Sequence, residues 1–463
     1  MTLTIVNGRD RAANPLDVRI DGGRISALGP SLGASLGDVG DVIDVEGGLI
    51  LPGLHDHHVH IRSMAAHAAS VDVGPPADHT AMASRLAGGL GADATWVRGV
   101  GYHESVAGPL DRHRLDEMVA DRPVRVQHRS GVIWFLNSSA LDRVGAAGGD
   151  HPGIQRGPGG EPTGVLVRAD EWLDARTPPV PLQWGSVGRA AARLGVTGFT
   201  DTDPTRTPAE LATLIEQHHA GELPQRLHLM CPPGVELDHF ETITMGPAKL
   251  MLDDDLLPGI DEVVDLAARA HDEGRGLAVH VVTRTQLMLT LAAFTEAGTA
   301  GGDRIEHGSV IPPEAIPRLA RLGLVVVTQP NFVSERGDAY RRDVDGDDQP
   351  DLYRCRSLLE GRVRLAAGTD APFGQADPWA AIRAACRRTT SDGEVLGPDE
   401  TVSGDTALDL FLGSAHRPDV PRRLRAGDAA DVCVVDWPLG ELAPDDPDPV
   451  RLSVIRGEVA FVR

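Results

Sequence analysis

The chain lacks three things that mark whole classes of protein. No uninterrupted apolar stretch approaches the ~18 residues that cross a bilayer. The opening residues, MTLTIVNGRDRAANP, show no basic segment ahead of an apolar core. Neither membrane spanning nor secretion is expected, and a cytoplasmic location is the default. Cysteine is scarce: Cys231, Cys355, Cys386 and Cys433 are scattered, with no C-x-x-C pair. That spacing suggests neither a disulfide framework nor a thiolate zinc site, and it fits a reducing compartment. Positive charge is also short. The 44 Lys and Arg residues face 67 Asp and Glu, leaving a formal net charge of −23, and such a surface repels nucleic acids and anionic membranes alike.

What is present is ordinary for a folded chain, with 41% hydrophobic and 24% charged residues. At 463 residues, a barrel with an appendage or two medium domains is the starting expectation. The first fifty residues read as short strands between Gly-rich turns: LTIVNG, DVRIDGGRISALG with a Gly22-Gly23 hairpin signal, and DVIDVEGGLIL. DAADVCVVDW and RLSVIRGEVAFVR close the chain in the same manner, so residues 1–51 and 412–463 are expected to complete one β-sandwich. Between them, apolar runs alternate with helix-period segments. LHDHHVHI, VTGFTD, QRLHLM, PAKLML, GLAVHVV, DRIEHG, LVVVTQP and VRLAAGTD supply eight strands. This is the count of an α/β protein built as a (β/α)8 TIM barrel, expected over 52–411. Residues 62–183 are far too long for a βα connection. They are expected to be an insert after the first barrel strand that roofs the site.

Alternation along His55-Asp56-His57-His58-Val59-His60 puts Asp56, His58 and His60 on one face. An H-x-H pair alone is weak, since histidine is a common polar core residue as well as a metal ligand. The later strands decide: Lys249 in AKLML, His280 in GLAVHVV, His307 in RIEHG and Asp370 in LAAGTD each fall near a strand's C-terminal end. A barrel gathers its catalytic groups at that rim, so six candidates from five strands are expected to converge on a divalent metal.

Pro52-Gly53-Leu54-His55-Asp56-His57-His58-Val59-His60 matches P-G-[LFM]-x-D-x-H-x-H, and on this motif the chain resembles the amidohydrolase superfamily of metal-dependent hydrolases. The closing G-x-x-A-D-x-x-V-x-D, Gly427 to Asp436, extends the resemblance to nearly the whole chain. Within it, the chain is similar to the branch containing N-substituted formamide deformylases. Landmarks in the insert are Gly99 to Glu104, Leu115-Asp116, Asp121 to Val124, Asn137 to Leu141 and Pro162 to Leu166. There are departures. The branch has Trp-Asp where this chain has Tyr102-His103, and a histidine and a tryptophan where it has Val132 and Phe135, with Trp134 beside them.

The resemblance implies hydrolysis of a non-peptide C–N bond in a small-molecule substrate. His58, His60, His280, His307 and Asp370 become the ligand and catalytic set. Lys249 becomes the candidate for an N6-carboxylated lysine bridging two ions. A free ammonium cannot ligate a cation, whereas the carboxylated form offers two oxygens and a negative charge. An unmodified lysine is the alternative, so one ion or two stays open, with Zn2+ the first choice. Asp370 is the natural general base. His307 either binds an ion or hydrogen-bonds the substrate, and Asp56 either orients a histidine or is a plain strand-end carboxylate. Tyr102, His103, Trp134, Gln329 and Asn331 are candidates for the pocket wall. Rival readings are a one-metal deaminase, a cyclic amide hydrolase and a scaffold without catalysis. The deaminase expects an acidic residue after the third histidine, where His280 is followed by Val281-Val282-Thr283. Oligomeric state is left open, a homo-oligomer among the options.

Overall fold

A computed structural model describes residues 2–35, 40–74, 78–89, 95–436 and 449–463. The chain divides into two compact units, Met1–Ile61 with Trp184–Arg463, and Arg62–Gln183. In the larger unit, eight strands follow the eight apolar runs of the sequence. They are β1 (Leu54–Val59), β2 (Val196–Asp201), β3 (Arg226–Leu229), β4 (Ala248–Leu250), β5 (Leu277–Val281), β6 (Arg304–His307), β7 (Val325–Thr328) and β8 (Arg364–Ala367). β1, β2 and β3 pair in parallel, as do β4 through β8. A short segment the sequence did not announce, Ile243–Met245, pairs in parallel with β3. Every residue of β1, β2, β6 and β7 is buried. β7 is buried on both faces and so reads as an apolar run, whereas β1 and β6 bury polar residues, among them Asp56, His58, Arg304, Glu306 and His307.

The chain after β8 returns to β1. Val59 bridges Ala371 in parallel and Asp370 N–H donates to His58 O at 2.8 Å. Glycine is required at 368, because a Cβ there would stand 2.5 Å from the His58 backbone nitrogen. Between strands, the helix Ile260–Asp272 buries Val263, Ala267 and Ala270 along one stripe and stops before Gly274, whose φ of +71° ends the α-helical path.

The two ends of the chain meet in one eight-stranded sheet, where Leu49–Pro52 runs antiparallel to Val432–Val435. The Gly22-Gly23 hairpin forms as read: both glycines have positive φ, and Asp21 pairs with Arg24. Leu3, Ile5, Val18, Ile20, Val432, Val434 and Val454 pack on this sheet, each worth ~1.5–3 kcal/mol of buried apolar surface.

The smaller unit, taken by itself, is a six-stranded mixed sheet. Val71–Asp72, Val97–Tyr102 and Val124–His128 run parallel. Ile133–Leu136, Pro162–Val167 and Ile154–Arg156 continue it antiparallel. No described helix of either unit is long and apolar enough to cross a membrane, and all four cysteines are free thiols.

Candidate metal centre

β1 delivers His58 and His60, β5 His280, β6 His307 and the turn after β8 Asp370, all in the larger unit. His58 Nε2 and His60 Nε2 lie 3.4 and 3.2 Å from Asp370 Oδ1. The ring centroids of His58 and His307 are 4.7 Å apart, and those of His280 and His307 are 4.5 Å apart. One ligand atom each from His58, His307 and Asp370 falls within 4.8 Å of the other two. Lys249, on β4, is buried and close enough that its charge lowers the basicity of His58, His280 and His307.

Burial, then the Lys249 charge, holds His58 down at about 4 and His280 at about 3. Burial, then His280, takes His307 well below the ordinary imidazole range. All three rings are therefore neutral and offer lone pairs at neutral pH. Burial raises Asp370, but His60 and His58 outweigh it and keep the carboxyl below its usual range. Burial also lowers the Lys249 amine to about 8. His58 Nε2, Lys249 Nζ and Asp370 Oδ1 are all buried without an aligned hydrogen-bond partner. Buried polar atoms cost ~1–3 kcal/mol each when left unsatisfied, and two of these, His58 Nε2 and Asp370 Oδ1, lie 3.4 Å apart. Imidazole nitrogens and a carboxylate oxygen are the donor set of Zn2+-type ions, so the residues present fit a divalent metal.

Two residues that sequence reasoning passed over aim these rings. Glu306 Oε2 contacts His58 Nδ1, and Arg304 both chelates Glu306 and donates to His57 O at 2.7 Å. A carboxylate behind a ligating imidazole fixes its tautomer and turns Nε2 toward the ion. Strand alternation sends neighbours to opposite faces, yet Glu306 and His307 both approach His58. The left-handed backbone at His307, φ 67°, breaks the alternation, and no pattern in RIEHG announces it. Asp370 has the same conformation, φ 58°. Two such non-glycine residues in one cluster are a sign of backbone held for function.

Asp56 takes neither histidine ring. Its carboxylate accepts from Thr369 N–H and Oγ1–H at 2.9 and 2.6 Å and from His58 N–H at 3.3 Å, tying β1 to the turn after β8. Burial raises that carboxyl to about 7 in spite of the Thr369 bonds.

The pocket-wall candidates divide. Gln329 Oε1 accepts from His307 Nδ1 at 2.8 Å, so it serves a histidine. Asn331 donates to Thr369 O and Glu335 Oε1, both at 3.0 Å, while its own Oδ1 is buried without a partner. Tyr102 is wholly buried in the core of the smaller unit against Phe135, its hydroxyl donating to Gly108 O. Trp134 is packed in the same unit, donating to Asp170 Oδ1 at 2.8 Å with Arg98 and Arg125 on its ring. Both aromatics are thus structural there, because their polar atoms are spent and their rings covered. His103 lies beside Glu104 and His128.

The amidohydrolase family profile matches residues 41–461. N-substituted formamide deformylase of Arthrobacter pascens is 27% identical over 94% of this chain and 93% of its own length. YtcJ of Bacillus subtilis is 24% identical over 90% of each. An uncharacterised metal-dependent hydrolase from Pyrococcus horikoshii superposes with a TM-score of 0.77 over 96% of this chain and 99% of that one, at 19% identity. One from Pyrococcus furiosus gives 0.73 over 95% and 100%, at 22%. These likenesses show an α/β fold of the TIM-barrel type. With a profile match that spans nearly all of its length, the chain belongs to the amidohydrolase family and is a hydrolase of carbon–nitrogen bonds.

Proposed function

We propose that the chain cleaves an N-substituted amide or formamide of a small molecule. On this reading His58, His60, Lys249, His280, His307 and Asp370 hold one or two divalent ions, Zn2+ first, at the C-terminal rim of a closed (β/α)8 barrel. Residues 1–51 with 412–463 form the flanking β-sandwich. The observation that carries the proposal is that His58, His307 and Asp370 each bring one ligand atom within 4.8 Å of the other two, beside three buried atoms without a hydrogen-bond partner, His58 Nε2, Lys249 Nζ and Asp370 Oδ1. A bound ion of this type supplies a nucleophile at neutral pH and polarises the carbonyl under attack.

The residues do the rest. Asp370 accepts the proton of the attacking water and passes it to the leaving nitrogen, without which an amine is a poor leaving group. His307 donates Nδ1–H to Gln329 Oε1, because Gln329 Nε2 is turned toward Val327 O at 3.4 Å. Its Nε2 is then a lone pair rather than a donor, which supports the ligand role over a bond to the substrate carbonyl. Lys249 is the only lysine in the chain. An amine held at about 8 by burial is partly neutral at working pH, the state that adds CO2, and an arginine in its place does not react this way.

The test uses that singularity. After exchange with 13C-bicarbonate, the metal-loaded wild type is expected to show a carbamate carbon resonance that Lys249→Arg lacks. Formamide and N-acyl amine panels then read the activity. A wild type that contains no stoichiometric Zn, Fe or Mn and releases no amine from any of them would end the proposal.

A further inference from the structure

We propose that His103, Glu104 and His128 form a binding site for a borderline divalent ion of the Zn2+ or Co2+ type, with a ligand set that shares no residue with the cluster around His58. The smaller unit builds it from two neighbouring strands. Val97–Tyr102 and Val124–His128 run parallel, with Tyr102 opposite His128 in register, and Arg129 N–H donates to Tyr102 O at 2.7 Å. Both chains therefore leave the sheet side by side at its C-terminal edge, where open α/β sheets place their ligands. His103 is the first residue past one strand, and His128 is the last of the other.

Each ring is aimed by its own chain. His103 Nδ1 lies 2.9 Å from Ser105 Oγ, and His128 Nδ1 lies 2.8 Å from Ser130 Oγ. The same H-x-S device thus occurs twice. It turns both Nε2 atoms toward one carboxylate: Glu104 Oε2 is 3.3 Å from His128 Nε2 and 3.7 Å from His103 Nε2. The ring centroids are 5.6 Å apart, and one ligand atom from each of the three residues lies within 4.8 Å of the others.

An ion requires one proton shift on each ring. Ser105 and Ser130 N–H groups also reach the two Nδ1 atoms, at 3.2 and 3.1 Å. In the metal-free tautomer Nδ1 accepts there and Nε2–H points at Glu104. An ion at Nε2 requires that proton to move to Nδ1, where the serine hydroxyl accepts it and the bond from the serine backbone N–H is given up. An oxygen behind each ligating imidazole is the usual support of such sites. Two imidazoles and one carboxylate, with the histidine side chains 18% and 13% exposed and Glu104 49% exposed, are a three-ligand set with open positions. That is the donor pattern of Zn2+-type rather than Ca2+- or Mg2+-type ions.

The experiment titrates Co2+ into chelator-stripped full-length protein and counts bound ions, with visible absorption reporting the ligand field. Wild type is expected to bind one equivalent more than His103→Ala/His128→Ala. His58→Ala is expected to keep that equivalent while losing ions from its own cluster. Glu104→Gln, a substitution at a half-exposed side chain, is expected to keep the fold by circular dichroism and weaken the extra Co2+ at least tenfold. Equal stoichiometry in wild type and the double variant overturns the site, as does loss of the extra ion in His58→Ala. A changed KM without a changed ion count in the double variant overturns it too, since it makes the trio a substrate contact only.

Discussion

Among the described residues, the two histidine clusters that could hold a metal are aimed by opposite means. Around His58, two of the rings are turned by residues on other strands or the segments after them: Glu306 behind His58 and Gln329 behind His307. Around His128, each ring is turned by a serine two residues downstream. The first arrangement exists only once the strands have assembled, and it is buried; the second is set by local turns and stays half-open. A buried ring held by tertiary contacts is neutral, rigid and costly to leave unpaired. A ring held by its own loop tolerates exchange of what it binds. The contrast predicts that damage to the first cluster is severe and shared among its members, and that damage to the second is confined to its own ion.

The largest effect is expected from His58→Ala, which should lose metal and turnover together, read by elemental analysis and amine release on the same preparation. Asp370→Asn should keep much of the metal and lose turnover by ~10²–10⁴-fold, the worth of a positioned general base. Full activity in that variant would contradict the role given to Asp370.

Next in size is Glu306→Gln. The amide keeps the shape but cannot stabilise the tautomer in the same way, and removing such a supporting carboxylate costs ~10–100-fold in metal affinity or activity. It also leaves Arg304 facing a neutral partner in a buried site. If metal affinity is unchanged while the protein stays folded, remote aiming is not what distinguishes the first cluster.

The sequence revealed these two levels unequally. Runs such as β5 and β7 were legible because burial leaves them almost wholly apolar, and β1 and β6 were legible by the histidines they carry. Glu306 was not legible, because a left-handed residue at 307 cancels the alternation that would have assigned it a face. Asp56 was legible as a buried residue on the ligand face but not in its partner, since Thr369 is 313 positions away. In the smaller unit the surroundings of Tyr102 and Trp134 were not legible, because an aromatic beside a glycine-rich landmark looks the same in sequence whether it lines a pocket or packs as these two do. The H-x-S repeats at 103 and 128 were readable in principle, but only the register of the two strands shows that they face each other.

The last effect, absent at neutral pH, concerns a histidine that belongs to neither cluster. His228, on β3, is buried, with Nδ1 2.8 Å from Thr244 Oγ1, and burial, then His416, lowers it to about 3 from an ordinary value of 6.5. Above pH 6.5 the ring is neutral in folded and unfolded chains alike and pH has no leverage through it. As pH falls below 6.5 the unfolded chain takes up the proton first, so stability is lost between pH 6.5 and about 3. The slope is at most about 1.4 kcal/mol per pH unit for one group. In His228→Gln the fall of the urea midpoint across that window should be shallower than in wild type, with the two curves parallel above neutrality. Parallel curves throughout would mean that His228 finds water or a proton in the folded state, and that its burial beside His416 does not hold it neutral.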